Sequence, residues 1–376
     1  MTETPRSSHW IDLLQCDDPR DVVHQAVAAL AQGGVIGLAT ETVYCLAASA
    51  LRADGVARLR MLEEASNSVP LTLLLQSPEE VSDWVPALPL IGRRLAWRLW
   101  PGPLTLMFPV LQPNGLFNRL PSEVRHLIAP AGALALCSSA DSFVRGVMEL
   151  TPAPLVLGAL SRADQSPATT SLPLRDLGDL DMVIDSGPTH LECDSTWVRI
   201  GDENWTLERQ GAIDARTLKQ MSGLIILFVC TGNTCRSPMA EAICKVLVAR
   251  RLACAIDQLE DRGYVVLSAG VAATAGAPAA SHAVEILRVM GGSLETHRSR
   301  RITFDLVRRA DCIFAMTADH LEALLEAVPE VEPQAFLLDP QGGDVPDPFG
   351  SDQQTYRDTA AMIEKMLQER LNQMGL

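Results

Sequence analysis

Basic charge is scarce in this chain, and lysine scarcest of all: across the first 222 residues Lys219 is the one lysine. Lys+Arg number 31 against 46 Asp+Glu, a formal net charge of −15. The deficit is spread, with 17 basic against 26 acidic residues up to position 222 and 14 against 20 beyond it. Bulk attraction to nucleic acid or to anionic lipid is therefore not expected. Cysteine pairs are missing too. The 9 Cys show no Cys-x-x-Cys spacing, which argues against a disulfide framework or a structural zinc site and fits a reducing compartment. No apolar run reaches the roughly 18 residues of a membrane helix without a Pro or a charge, and MTETPRSSHW lacks a signal peptide's apolar core. A soluble, cytoplasmic protein with no membrane partner is expected. Its 376 residues suggest two domains of ordinary size.

What the chain does have is LIILFVCTGNTCRSPMAE, Leu224 to Glu241. The run Leu224 to Val229 has the length of a buried parallel strand. A helix is expected just beyond, with Ser237 as N-cap and Pro238 at the first helical position, ahead of Met239, Ala242, Ile243 and Val246 at helical spacing. Backbone N–H groups of a tight loop entering a helix converge on one point, and the helix dipole adds positive potential there. The loop Cys230 to Arg236 is thus an anion cradle. Gly232 and Asn233 are types that tolerate the left-handed backbone such a loop needs. Thiols at helix N-termini or beside Arg titrate at about 3.5 to 7.5, so Cys230 is expected to be a thiolate at neutral pH. Arg236 supplies a planar fork for phosphoryl oxygens. Alone, Cys230 also reads as a small apolar residue ending a strand; the strand, Gly-Asn loop, Arg-Ser-Pro and helix in sequence favour the site.

At Cys230, Gly232, Asn233, Cys235, Arg236 and Ser237 the stretch resembles the signature loop of the low-molecular-weight protein-tyrosine phosphatases. Leu267 to Val271 (LSAGV) and His297 to Arg300 (HRSR) match further family stretches; His297 reads as a hydrogen-bonding turn residue rather than a catalytic one. In Pro346-Asp347-Pro348-Phe349-Gly350 an acid stands between two prolines, held in a narrow backbone range as a proton donor must be. The resemblance implies a mechanism. Cys230 attacks phosphorus, Arg236 and the amides of Thr231, Gly232, Asn233, Thr234 and Cys235 hold the oxygens, and Ser237 donates to the sulfur. Asp347 then serves as general acid and base, with no metal or cofactor. Cys235 is either a partner for a reversible disulfide with Cys230 or a loop-packing thiol. Thr234 stands where tyrosine-directed members carry a larger aliphatic, and Asp-Pro-Phe replaces their Asp-Pro-Tyr. CTGNTCRSPMAE with DPFG is more similar to the bacterial protein-arginine phosphatases, which implies a phosphorylated protein as partner, phosphoarginine before phosphotyrosine, with Phe349 against the substrate. Arsenate reduction would need relay thiols, and Cys244, Cys254 and Cys312 are not at positions linked to that chemistry.

Before this domain, Asp21 to Ala31 reads as a helix, Val35 to Leu38 as a strand, Ala57 to Glu64 as a helix, Leu71 to Leu75 as a strand, and Leu90 to Arg98 as a helix. ATETVYCLA at Ala39 to Ala47, Trp100-Pro101-Gly102-Pro103-Leu104-Thr105, Ile184 to Thr189, Asp194-Ser195-Thr196 and Arg209 to Ile213 resemble the YrdC family of threonylcarbamoyl-AMP synthases, over residues 11–217. That resemblance implies a twisted α/β sheet and a pocket for a small molecule or nucleotide at Thr40, Thr42, Tyr44, Ser195 and Arg209, in a domain type linked to nucleotides and double-stranded RNA. Taken without the resemblance, the Thr40 to Tyr44 hydroxyls read first as a hydrogen-bonded turn and only second as a small-ligand site. The family's phosphate-holding Lys and Arg are replaced by Glu63 and Ala65, its Ser-Thr-Ser-Ala-Asn loop by Leu157 to Ser161, and its Arg-x-Pro turn falls near Cys137 to Ser139. Losing these groups removes the countercharge for a polyanion. A degenerate binding or regulatory module is expected; a bifunctional enzyme using Arg58 or Arg60, or a wholly non-enzymatic oxyanion- or nucleotide-binding chain, are the competing readings.

Ala212 to Gly223 reads as a connection. Residues 223–376 then alternate strand and helix, which implies a Rossmann-like, four-stranded parallel sheet. Strands are expected at Leu224 to Val229, Val265 to Ser268, Cys312 to Ala315 and Ala335 to Leu338. Helices are expected near Met239 to Arg251, Ser281 to Met290, Ala318 to Ala327 and Gln353 to Gln373.

Overall fold

The computed structural model describes residues 9–63, 70–110, 115–130, 132–160, 166–175 and 177–376. The chain divides into two units, Met1–Met221 and Ser222–Leu376. Ala65 and Ser161, both expected at sites of lost polarity, lie outside the described residues.

The first unit is a ten-stranded mixed sheet. Its strands are β1 (His9–Asp12), β2 (Ile36–Ala39), β3 (Tyr44–Ser49), β4 (Thr72–Leu74) and β5 (Gly102–Pro109), followed by β6 (Ala133–Ser138), β7 (Leu155–Ala159), β8 (Met182–Asp185), β9 (Thr196–Ile200) and β10 (Trp205–Arg209). The order across the sheet is β1-β8-β2-β3-β7-β4-β6-β5-β9-β10. β3 is buried at all six positions, and two apolar clusters form the main cores of the unit, one including Leu46, Leu73, Leu106 and Leu136, the other Leu30, Leu38, Ala47 and Leu155. Helices run at Pro19–Ala31, Ala53–Leu62 and Leu90–Leu99. The first starts two residues earlier than expected, because Asp18 caps it by accepting from Arg20 N and Pro19 suits its first turn. Where the sequence reads as a connection, Ala215–Ser222 is helical.

The second unit is an all-parallel sheet of β11 (Leu224–Cys230), β12 (Tyr264–Gly270), β13 (Cys312–Ala315) and β14 (Ala335–Leu337), in the order β12-β11-β13-β14. A strand covered on both faces needs apolar side chains at every position, and β11 divides its run accordingly. Ile225, Leu227 and Val229 pack with Val307 and Leu324, while Ile226, Phe228 and Cys230 face the cluster of Met239, Ile243, Ala283, Ala360 and Ile363. Helices Arg236–Arg251, Ser281–Val289 and Gln353–Gln373 contribute to the second cluster; helices Phe304–Arg309 and Ala318–Ala327 contribute to the first. The short Phe304–Arg309 helix, capped by Thr303, is absent from the sequence expectations because six residues carry too little periodicity.

One start signal is corrected. The helix after β11 begins at Arg236 with Cys235 as N-cap, and Cys235 makes no capping bond. Ser237 sits inside the first turn because its hydroxyl is engaged elsewhere, 2.9 Å from the Cys230 sulfur.

Candidate active site

β11 delivers Cys230 to the carboxyl edge of the parallel sheet, where open α/β sheets bind ligands. Cys230 is only 3% exposed, yet its Sγ is met by polar atoms: Ser237 Oγ at 2.9 Å and the Asn233 N–H, which donates at 3.3 Å. Asn233 makes that approach by taking the left-handed conformation, φ 54°. Its fully buried side chain then pins the loop. Nδ2 donates to Ser237 Oγ (3.0 Å) and Ser268 Oγ (2.9 Å), and Oδ1 accepts from Arg300 N (2.9 Å). Ser268 in turn donates to Glu241 at 2.6 Å. Beneath the loop, Gly270 leaves room that a Cβ would close, since it would fall 2.4 Å from Thr231 O and 3.0 Å from Asn233 N.

The N–H groups of Thr231, Gly232, Thr234, Cys235, Arg236 and Ser237 donate to no acceptor among the described residues. They are the orphan donors of a helix start and its preceding loop, and an oxyanion is their natural partner. Arg236, almost fully buried, donates through Nη1 to Val345 O (3.2 Å) and through Nη2 to Asp347 Oδ2 (2.6 Å). The distant proline-bounded loop therefore does come over the cysteine loop. Asp347 is half exposed, and the Phe349 N–H donates to its Oδ1 at 3.2 Å. Phe349 is 75% exposed. Thr234 is partly buried, its Oγ1 3.7 Å from Cys235 Sγ. Cys235 itself is buried and lies 3.1 Å from Tyr356 Oη; burial pushes its thiol pKa up.

Three participants had no signal in the sequence pattern. His320, on the helix after β13, holds its imidazole between Thr231 Oγ1 (2.8 Å from Nε2) and Thr317 Oγ1 (2.7 Å from Nδ1). Burial, helped by the nearby Arg236 charge, lowers its pKa. Glu241 and Tyr356 are the others, each an ordinary helix residue until the fold brings it to the loop. His297 Nε2 donates to Asn233 O, 2.8 Å away, so it is a turn-bracing residue as expected.

In the first unit a cleft of about 130 Å³ is lined by Thr40, Thr42, Ser195 and Arg209, four of the five residues expected there. Tyr44 is the correction. Its ring is wholly buried as the first residue of β3, and its hydroxyl donates to Gly187 O at 2.7 Å and accepts from Ser186 N at 2.9 Å, so it braces the core instead of facing a ligand. Thr40 and Thr42 bond each other at 2.9 Å, and Thr40 Oγ1 donates to Val43 O, so the turn reading holds for their hydroxyls. Neither proposed replacement cation is available. Arg58 is tied to Asp179 and Asp181, and Arg60 to Glu63 and Leu127 O. Glu63 lines the cleft, and burial raises its pKa.

Comparison with known proteins follows this division. Residues 225–375 match the family described as low molecular weight phosphotyrosine protein phosphatase. A protein-arginine-phosphatase of Bacillus subtilis is 37% identical over 153 residues, 40% of this chain and 95% of that protein. The chain belongs to the low-molecular-weight phosphatase family. Residues 28–211 match the Sua5/YciO/YrdC family, described as telomere recombination. The threonylcarbamoyl-AMP synthase of B. subtilis is 29% identical over 217 residues, 57% of this chain; the chain spans 60% of that synthase's length. A Sua5 structure of P. abyssi shares the fold at TM-score 0.50 and 18% identity, over 70% of this chain and 91% of that one. The protein is thus a low-molecular-weight phosphatase domain, a phosphoric monoester hydrolase by family, joined to a Sua5/YrdC domain. No helix among the described residues is long and apolar enough to cross a membrane.

Proposed function

We propose that residues 223–376 hydrolyse phosphorylated protein side chains through a cysteinyl phosphate, with phosphoarginine preferred and phosphotyrosine a weaker substrate. The observation that carries the reading is the convergence of Cys230, the orphan loop amides, Arg236 and Asp347 on one spot. Cys230 Sγ attacks phosphorus in line, forming S–P as the bond to the leaving nitrogen or oxygen breaks. Asp347 delivers its proton to the departing group. Water, losing a proton to Asp347, then cleaves S–P and releases phosphate. The amides of Thr231, Gly232, Thr234 and Cys235 and the Arg236 fork take the charge that accumulates on the equatorial oxygens. Ser237 donates to the sulfur, making it a better leaving group in the second step.

Two things favour phosphoarginine. Thr234 offers a hydroxyl at the loop where a branched aliphatic would only pack against a ring, and the 37%-identical B. subtilis relative is named for that activity. The test is turnover on phosphoarginine and phosphotyrosine peptides, with Thr234→Ile alongside. The expected result is a phosphoarginine preference that the substitution erodes by about 10-fold or more, on the scale of a site that loses a hydrogen bond to its substrate. A wild-type preference for phosphotyrosine overturns it.

The Sua5/YrdC domain, residues 11–217, serves in this reading as a ligand-binding module that no longer makes threonylcarbamoyl-AMP. A reducing, cytoplasmic setting suits a phosphatase whose cysteines form no disulfide among the described residues.

A further inference from the structure

The first unit's cleft carries its charge the wrong way round for a nucleotide. Among the described lining residues Glu41, Glu63 and Asp194 are acidic and Arg209 alone is basic. That guanidinium is already engaged: it stacks 5.0 Å over Trp197, stands 4.0 Å from Asp194, and reaches Ser195. Glu63 is satisfied by Arg60 and by the Ala159 N–H.

Glu41 is not satisfied. It is 8% exposed, and both of its donors, Ser139 Oγ at 2.5 Å and Ala140 N at 3.1 Å, converge on Oε2. Oε1 takes no hydrogen bond from a described residue. Next to Ser139, Ser138 lines the same cleft, fully buried, and its Oγ has no hydrogen-bond partner among the described residues. A buried hydroxyl left without a partner is costly unless a ligand completes it, and the open Glu41 oxygen belongs to a residue lining the same cleft. Val43, Leu104 and Leu157 add hydrocarbon to the remaining wall, beside hydroxyls such as those of Thr72 and Thr105.

We infer that this cleft binds a small organic cation, an ammonium or guanidinium on a short apolar body, whose N–H groups donate to Glu41 Oε1 and Ser138 Oγ. This rests on the reading that the domain has lost nucleotide chemistry, and it names what replaced it. An N–H-bearing cation satisfies both open acceptors at once, and its hydrocarbon covers the apolar wall. A triphosphate would meet three carboxylates and no free cation among the described residues.

Isothermal titration of the full chain tests it with four probes: propylguanidinium, propylammonium, tetramethylammonium and Mg-ATP. Saturable binding of one or both N–H-bearing cations is expected, with no binding of tetramethylammonium, which has no N–H, or of Mg-ATP. Glu41→Gln removes the charge but keeps the shape and should weaken the cation at least tenfold. Ser138→Ala, smaller and apolar, should weaken it several-fold; circular dichroism checks that both variants fold. No saturable heat from either N–H-bearing cation, equal affinity in Glu41→Gln, or equal binding of tetramethylammonium overturns the inference. Threonine-dependent pyrophosphate release from ATP and bicarbonate, assayed in parallel, instead overturns the prior reading that synthesis is lost, whatever the cations do.

Discussion

Replacing Asp347 by Asn separates its observed contact with Arg236 from the proton-donor role proposed for it. Asp347 Oδ2 sits 2.6 Å from Arg236 Nη2, so a phosphoryl group taking the guanidinium fork has to displace it. Asp347 is 47% exposed, so the pair is partly screened and contributes on the order of 1 kcal/mol. Removing the charge should therefore tighten inorganic phosphate as a competitive inhibitor by roughly fivefold. Chemistry should move the other way. A positioned proton donor contributes about 10²- to 10⁴-fold, but only where the departing group needs the proton. Single-turnover phosphorylation of Cys230 by a series of phosphate esters of graded leaving-group pKa, alongside phosphoarginine peptide, reads both. The wild-type rate should vary little along the series, and Asp347→Asn should fall steeply as the leaving group becomes more basic. A variant that handles poor leaving groups at the wild-type rate, or binds phosphate more weakly, refutes the assignment.

Two further outcomes follow from the loop's supports. Gly270→Ala places a Cβ against backbone atoms of Thr231 and Asn233, which have no side-chain freedom with which to yield; an ångström-scale shift of the cradle should cost about 10²-fold in kcat/KM, measured on an aryl phosphate with circular dichroism to show the fold intact. His320 has a folded-state pKa below its ordinary 6.5. The unfolded chain then binds the extra proton first, so stability is level in this respect above pH 6.5 and falls as the solution is acidified below it. Thermal melts from pH 7.5 to 5 should show a steeper loss for the wild type than for His320→Asn, and parallel slopes would contradict the buried neutral imidazole.

Much of the second unit was legible because each strand is short, apolar and bounded by turns, and because the helices carry long periodic stretches. Cys312–Ala315, Ala318–Ala327 and Gln353–Gln373 fall where periodicity puts them. The helix start did not, since Ser237 and Pro238 satisfy the local rule for a cap, whereas the observed register spends Ser237 on the sulfur and leaves the loop amides open. Local propensity lost there to the needs of a site. In the first unit, Thr40, Thr42, Ser195 and Arg209 reach one cleft from distant points of the chain, which only the resemblance foreshadowed. Tyr44 misled for a plain reason: a phenol beside two threonines looks like a ligand group until the strand's pleat turns it into the core. His320, Tyr356 and Glu41 were invisible because a hydrogen bond across about ninety residues or more leaves no local pattern.

The most direct test of the whole account is to find the phosphoryl group on the sulfur. The full chain is mixed with a substrate, quenched in acid within milliseconds, and digested for mass spectrometry of the peptide spanning Cys230. The account predicts one phosphoryl group on Cys230 that disappears as turnover proceeds, and none, with no hydrolysis, in Cys230→Ala. Hydrolysis that persists in Cys230→Ala, or a phosphoryl group lodged elsewhere, would contradict it.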